Sequence, residues 1–141
     1  MPLLSPYSDL ARKRLVDLRH ALLKLHKILL DSERLVYERA HGRIASTGEF
    51  FQLVVGDDWF AWLHRVSELV VEIDEMLEAD EPATAIDATR VIDQTRVLLK
   101  PSEDGDGFRK RYFDALQRDP DVVLAHAAVK KLLRKGVFHL N

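Results

Sequence analysis

The sequence predicts an all-α protein, a helical bundle of four main helices with one or two short extra helices, in a single domain over residues 1–141. Three observations predict it. Leu15, Leu18, Leu22, Leu25, Leu29 and Val36 recur at helical spacing, with Ser32 filling the one missing step. Trp59, Leu63, Val66, Val70, Ile73 and Leu77 repeat the pattern at alternating steps of four and three. Such spacing places apolar side chains on one face of a helix. Between and after these stripes, Pro, Gly and capping residues cut the chain into segments of helical length, and no pair of segments alternates as two strands would.

From Leu10 to about Ala45 the first helix meets no Pro, and no Gly before Gly42. Ser5 or Ser8 can cap its start. Leu23, Ile28, Leu30 and Leu35 widen the stripe beyond a two-stranded seam, so two or more neighbours are expected to cover it. About 36 residues at about 1.5 Å each give roughly 54 Å, long for a domain whose radius of gyration is about 14 Å. A kink near Asp31-Ser32 or Gly42 is one expectation. The other is an end that projects and packs on a second copy, which makes a homodimer the expected assembly.

Ser46-Thr47-Gly48-Glu49 has capping-box spacing. The apolar run Phe50-Phe51-Gln52-Leu53-Val54-Val55 then reads as one or two turns of helix before Gly56. Asp57 or Asp58 caps the next helix, which holds both tryptophans and runs to about Asp80. It reads as the central element, with the other helices covering its apolar face. Its acidic end opposes the helix dipole and is expected to fray or to meet basic groups from another helix. Thr84 to Asp87 repeats the capping pattern, and Ala88, Ile92, Thr95 and Leu99 follow at helical steps up to Pro101. Ser102 to Gly107 reads as a loop, Phe108 to Leu116 as a short helix, and Asp119-Pro120 as a cap with Pro at the first helical position. The last helix carries Val122, Ala125, Val129 and Leu132, is expected to close at Gly136, and leaves an apolar tail able to dock.

Net charge is −2, unevenly spread. Residues 1–45 and 105–141 are each basic by four, and residues 46–104 are acidic by ten. Basic helices are therefore expected beside an acidic middle one. A nucleic-acid partner is not expected, because that needs basic groups gathered on one face without acidic neighbours. There is no Cys, which removes disulfides and thiolate metal sites. No apolar run approaches the roughly 20 residues that span a bilayer, and residues 1–6 lack the features of a signal peptide. No membrane partner is expected, and the cytoplasm is the expected compartment.

Chemistry-bearing motifs are partial. Glu38-Arg39-Ala40-His41 is the single Glu-x-x-His, and the Asp variant Asp17-Leu18-Arg19-His20 lies on the same helix, short of the ligands of a ferritin-like di-iron site. The stretch Leu18 to His26 resembles the opening helix of the hemerythrin family, and His64-x-x-x-Glu68 is similar to that family's His-x-x-x-Glu element. A full match would imply an oxygen-binding di-iron centre, but the downstream His-x-x-x-His and His-x-x-x-x-Asp elements are absent. Glu72-Ile73-Asp74-Glu75 resembles the first Mg²⁺ element of nucleotide-pyrophosphatase bundles, and Asp87 and Asp93 do not supply the second. Asp104, Asp106 and Gly107 match half an EF-hand loop, with Phe113 where its Glu belongs.

What stays open is a single transition-metal ion on His26, His64, Glu68 and His126, should their faces converge: His26 and His126 sit at or beside apolar faces, and His64 and Glu68 share a face one turn apart. The competing expectation is that each imidazole hydrogen-bonds at the edge of the core, with no cofactor. The aromatic group around Trp59, Phe60 and Trp62 cannot point into one core from a single turn, so Trp59 and Phe60 are the candidate interaction surface. No catalytic residue set is complete. Asp58 to Leu63, Ser67 to Glu75 and Asp121 to His126 together resemble a small family of bacterial helical proteins without an assigned activity. That resemblance implies a cytosolic helical bundle and transfers no functional residue. The sequence thus reads as a non-enzymatic, self-associating interaction module, able to take a protein partner, with a metal- or small-ligand-binding bundle as the alternative.

Overall fold

The computed structural model describes residues 6–105 and 107–134. Its regular elements are α1 (Pro6–His41), α2 (Thr47–Gly56), a 3-10 helix (Asp58–Leu63), α3 (His64–Glu78), α4 (Ala85–Leu98), α5 (Gly107–Arg118) and α6 (Pro120–Arg134). Among the described residues there is no strand, and the protein is all-helical. No helix among them is long and apolar enough to cross a membrane. The expected closure at Gly136, the apolar tail and a cap by Ser5 lie outside the described residues.

The first helix is the hub. It packs against α3, α4, α5, α6 and the 3-10 segment, whereas the 3-10 segment and α3, taken together as the tryptophan-bearing stretch, pack on α1, α2, α4 and α5. The tryptophan-bearing stretch therefore shares the centre with α1, which alone of the two also packs on α6. A stripe shows which face is buried; its length decides how many partners can share it, and α1 is more than twice as long as α3. Leu15, Leu18, Leu22, Leu25 and Leu29 are all buried, with Ala11 extending the stripe one step earlier.

The helix runs uninterrupted for 36 residues. It ends at Gly42, whose φ of +89° is the left-handed geometry that Gly adopts without a Cβ penalty and that often follows a helix. The Gly42 N–H still donates to the Glu38 carbonyl at 2.8 Å. One side of this end is packed: Tyr37 and His41 stack at 4.4 Å, and both rings meet Trp59 edge to face, while Leu35, Arg39 and Ala40 stay exposed.

Local signals in the later helices act as expected. Thr84 and Asp87 form a reciprocal capping box, with the Asp87 N–H donating to Thr84 Oγ1 and the Thr84 N–H to Asp87 Oδ2, each at 3.1 Å. Asp119 Oδ1 accepts the Asp121 N–H at 2.9 Å, with Pro120 at the first helical position. Asp57 is the cap of the tryptophan segment, accepting the Trp59 N–H at 2.8 Å.

That segment departs from expectation by opening as a 3-10 helix. In this geometry residues three apart stand in line. Phe60 and Leu63 therefore share the buried row, and Trp59 and Trp62 share a half-buried one. The tighter turn lets all four aromatic and aliphatic side chains find cover.

Charge complementarity follows the sequence pattern. The Arg19 guanidinium on α1 pairs with Asp74 on α3. Arg12 donates to the Leu77 carbonyl at 3.3 Å, so a cation from α1 sits at the acidic C-terminal end of α3. Arg96 does the same for α6, donating to the Leu133 carbonyl at 2.8 Å.

Candidate functional site

Three places in the molecule gather chemistry: the histidines, the outward face of α2, and a cleft beside α5. The histidines do not form one site. His64, at the start of α3, lies close enough to His26 on α1 to disfavour a charge on His26. His64 Nε2 is 2.9 Å from the Val54 carbonyl. A carbonyl only accepts, so Nε2 carries the proton and His64 ties α3 to α2. His126 belongs to another centre, with Nδ1 2.6 Å from the Tyr112 hydroxyl.

Tyr112 is fully buried. Burial pushes its phenol far above the ordinary range, so the hydroxyl stays protonated in its hydrogen bond with the His126 imidazole. Glu68 points to neither centre and lines the cleft instead. Among the described residues no group of three His, Cys, Asp or Glu could hold a metal ion. His26, His64, Glu68 and His126 are thus held as two separate imidazole centres and one cleft carboxylate.

Both half-buried imidazoles have lowered pKa values, His26 through burial and then His64, His126 through burial and then Lys130. A group whose folded pKa is lowered binds a proton more readily in the unfolded chain. Stability is therefore complete above the ordinary value near 6.5 and is lost as pH falls below it. Thermal unfolding followed from about pH 7.5 to about pH 5.5 is expected to show a falling Tm. A Tm that is flat or rises over that window would contradict these environments.

The expected interaction surface is corrected in one residue and limited in the other. Phe60 is 0% exposed. It sits between Tyr37 and Phe50, with ring centroids 5.5 and 5.6 Å away, and presents nothing to a partner. Trp59 is half-buried beneath Tyr37 and His41. Among the described residues the exposed large aromatic is Phe51.

This follows from α2, an apolar helix in which no residue is buried. Its inner face, Phe50, Leu53 and Val54, packs only partly against the core. Its outer face carries Phe51 at 67% and Val55 at 58% exposure. Gly48, Phe51, Gln52 and Val55 stand at steps of three, one and three, one strip along the exposed side.

The cleft, about 930 Å³, opens between α3, α4 and the first turn of α5. It exists because α5 packs on α1, α6 and the 3-10 segment and leaves a gap toward α3 and α4. Leu69, Leu98 and Phe108 form a buried floor. Arg90 and Glu72, paired at 2.7 Å, bridge α4 to α3 in its wall. Arg65, Glu68 and Arg109 also line it.

One cluster has no counterpart in the sequence reading. Glu33 on α1 is 2% exposed. Its carboxylate meets Arg118 Nη2 at 2.5 Å and Arg111 Nη1 at 3.8 Å, both from α5. Arg118 Nε also donates to the buried Ser32 hydroxyl at 3.1 Å. The signal was the missing step at Ser32 in the leucine stripe, the point where α5 delivers polar side chains in place of a core leucine. Comparison with protein families, with curated proteins and with solved structures finds no match to this chain.

Proposed function

We propose that this chain is a non-enzymatic helical module that self-associates through the outer face of α2. In this reading α1, α3, α4 and α6 are the four main helices, α2 and α5 are the short additions, and the partner in the cytoplasm is a second copy rather than nucleic acid. The observation that carries it is α2 itself, with an aromatic and a β-branched side chain exposed on one strip of a helix that buries no residue.

A second copy suits this strip better than an unlike partner does. A two-fold interface sets a patch against itself, so it must be self-complementary. Like charges would oppose that pairing, and α2 carries a single charge, Glu49, off the strip. Gly48 has only the Ser46 hydroxyl near the position a Cβ would take, so it leaves room at one end for the bulk of Val55 from the other copy. The area is modest. A standard interface covers about 800 Å² per partner, more than a ten-residue helix face supplies. The dimer is therefore weak, with a dissociation constant in the upper micromolar range.

Sedimentation velocity across a concentration series tests this. The chain is expected to shift from monomer toward dimer at high micromolar concentration, and Phe51→Asp is expected to hold it monomeric with an unchanged circular dichroism spectrum. A chain that stays monomeric throughout, or a Phe51→Asp variant that dimerises as well as the parent, would sink the proposal.

A further inference from the structure

The geometry points to a second site, independent of self-association: the α3–α4–α5 cleft binds a small organic anion that has a planar apolar body and a hydrogen-bond donor. Its size sets the first limit. A volume of about 930 Å³ lies within the span of small-molecule pockets and far exceeds a single inorganic ion.

Its charges set the second. Arg90 is engaged by Glu72 at 2.7 Å, and Asp93 by Arg96 at 2.5 Å, so those lining charges are neutralised within the protein. Arg65, from α3, and Arg109, from α5, have no ion-pair partner among the described residues, and neither has Glu68. Two unpaired guanidinium groups from different helices suit a carboxylate or phosphate oxyanion, which can take parallel N–H donors from planar forks. Arg65 and Glu68 stand three residues apart on the same face of α3. A ligand anchored at the arginines can therefore turn a hydroxyl or amino group to the Glu68 carboxylate.

The floor sets the third. Leu69, Leu98 and Phe108 are nearly buried yet border the cleft. Phe108 packs on Trp62 at 5.3 Å and on Tyr112 at 5.4 Å, so the small part of its ring that borders the cleft is fixed and gives an apolar ligand body a firm edge to rest on. The lining supplies Arg, Glu, Asp and Gln around that floor, groups that bind and orient.

Adenosine 5′-monophosphate is a suitable probe because it joins a phosphate, hydroxyl and amino donors and a flat ring in one molecule. In a ¹H–¹⁵N titration of the full chain at millimolar nucleotide, the amides of Leu69, Leu98, Phe108 and Arg109 are expected to move together. Arg65→Ala and Arg109→Ala are each expected to weaken binding about tenfold, the loss of one charge-assisted hydrogen bond. Both variants should melt as the parent does, and Lys13→Ala, on the exposed side of α1, should bind as the parent does. Inorganic phosphate and adenosine alone should each bind more weakly than the nucleotide. The inference is overturned if the cleft amides do not move, if the two arginine variants bind as the parent does, or if inorganic phosphate binds as well as the nucleotide. None of these readings depends on α2.

Discussion

Arg118→Met is expected to destabilise the protein by about 3–5 kcal/mol, the cost of leaving a buried carboxylate without its main partner. Glu33 is almost wholly enclosed, and its second contact, Arg111, stands at 3.8 Å with half its side chain in solvent. Arg118 also donates to Ser32, so the same change strands a buried hydroxyl. The reverse substitution should cost less. Glu33→Leu leaves Arg118 and Arg111, both of which have a route to water. The pair is asymmetric because only one partner is buried. A double variant, Glu33→Leu with Arg118→Met, should recover most of the loss, since an apolar pair in place of a buried ion pair is often neutral or stabilising. Urea unfolding of the four proteins measures this as a cycle. Equal losses for the two single changes, or no recovery in the double, would contradict the account.

Phe60→Ala is expected to cost about 3–5 kcal/mol through lost burial and the cavity it leaves. Phe60 is fully buried and touches the rings of Tyr37 on α1 and Phe50 on α2. The loss should therefore loosen the seating of α2 as well as the core. Core and interface roles separate cleanly here. A core residue lowers Tm at every protein concentration. An interface residue changes the oligomer and leaves the melting of the monomer alone. Unchanged melting with a lost dimer would return Phe60 to the surface.

The two residues show what a sequence can and cannot display. The leucine stripe of α1 was legible because burial on one face of a helix forces a period, and Leu15 through Leu29 keep it without exception. The caps at Thr84, Asp119 and Asp57 were legible because each is a contact within a few residues. The hub was not legible, since a stripe does not state how many helices share it. Nor was the 3-10 opening at Asp58, because an α-helix and a 3-10 helix begin with the same caps and apolar content. Phe60 was mistaken for surface for that reason: on an α-helix Trp59, Phe60 and Trp62 splay around the axis, and on a 3-10 helix Phe60 falls in line with Leu63.

Pairings across the fold left still less trace. Nothing local joins Glu33 to Arg118, which lie 85 residues apart. Tyr112 and His126 meet because α5 and α6 fold back on each other at Pro120, and neither residue type announces the other. The candidate metal ligands left no trace of their actual neighbours: His126 meets Tyr112, His64 meets the Val54 carbonyl, and Glu68 lines the cleft. The outward strip of α2 was hidden by its own composition. With Phe50, Phe51, Leu53, Val54 and Val55 all apolar, the sequence says that the helix is sticky and not which side stays open.

The most direct test of self-pairing is a distance between two copies. The chain has no Cys, so Gln52→Cys places one spin label on the exposed strip without competition. Helices packed together lie about 8–10 Å apart axis to axis, so labels on facing copies of α2 should give a short, narrow dipolar distance at high micromolar protein. That signal should vanish with Phe51→Asp, and a label at Val123→Cys on α6 should give none. A Gln52 label showing only the broad background of separate molecules would contradict pairing through α2.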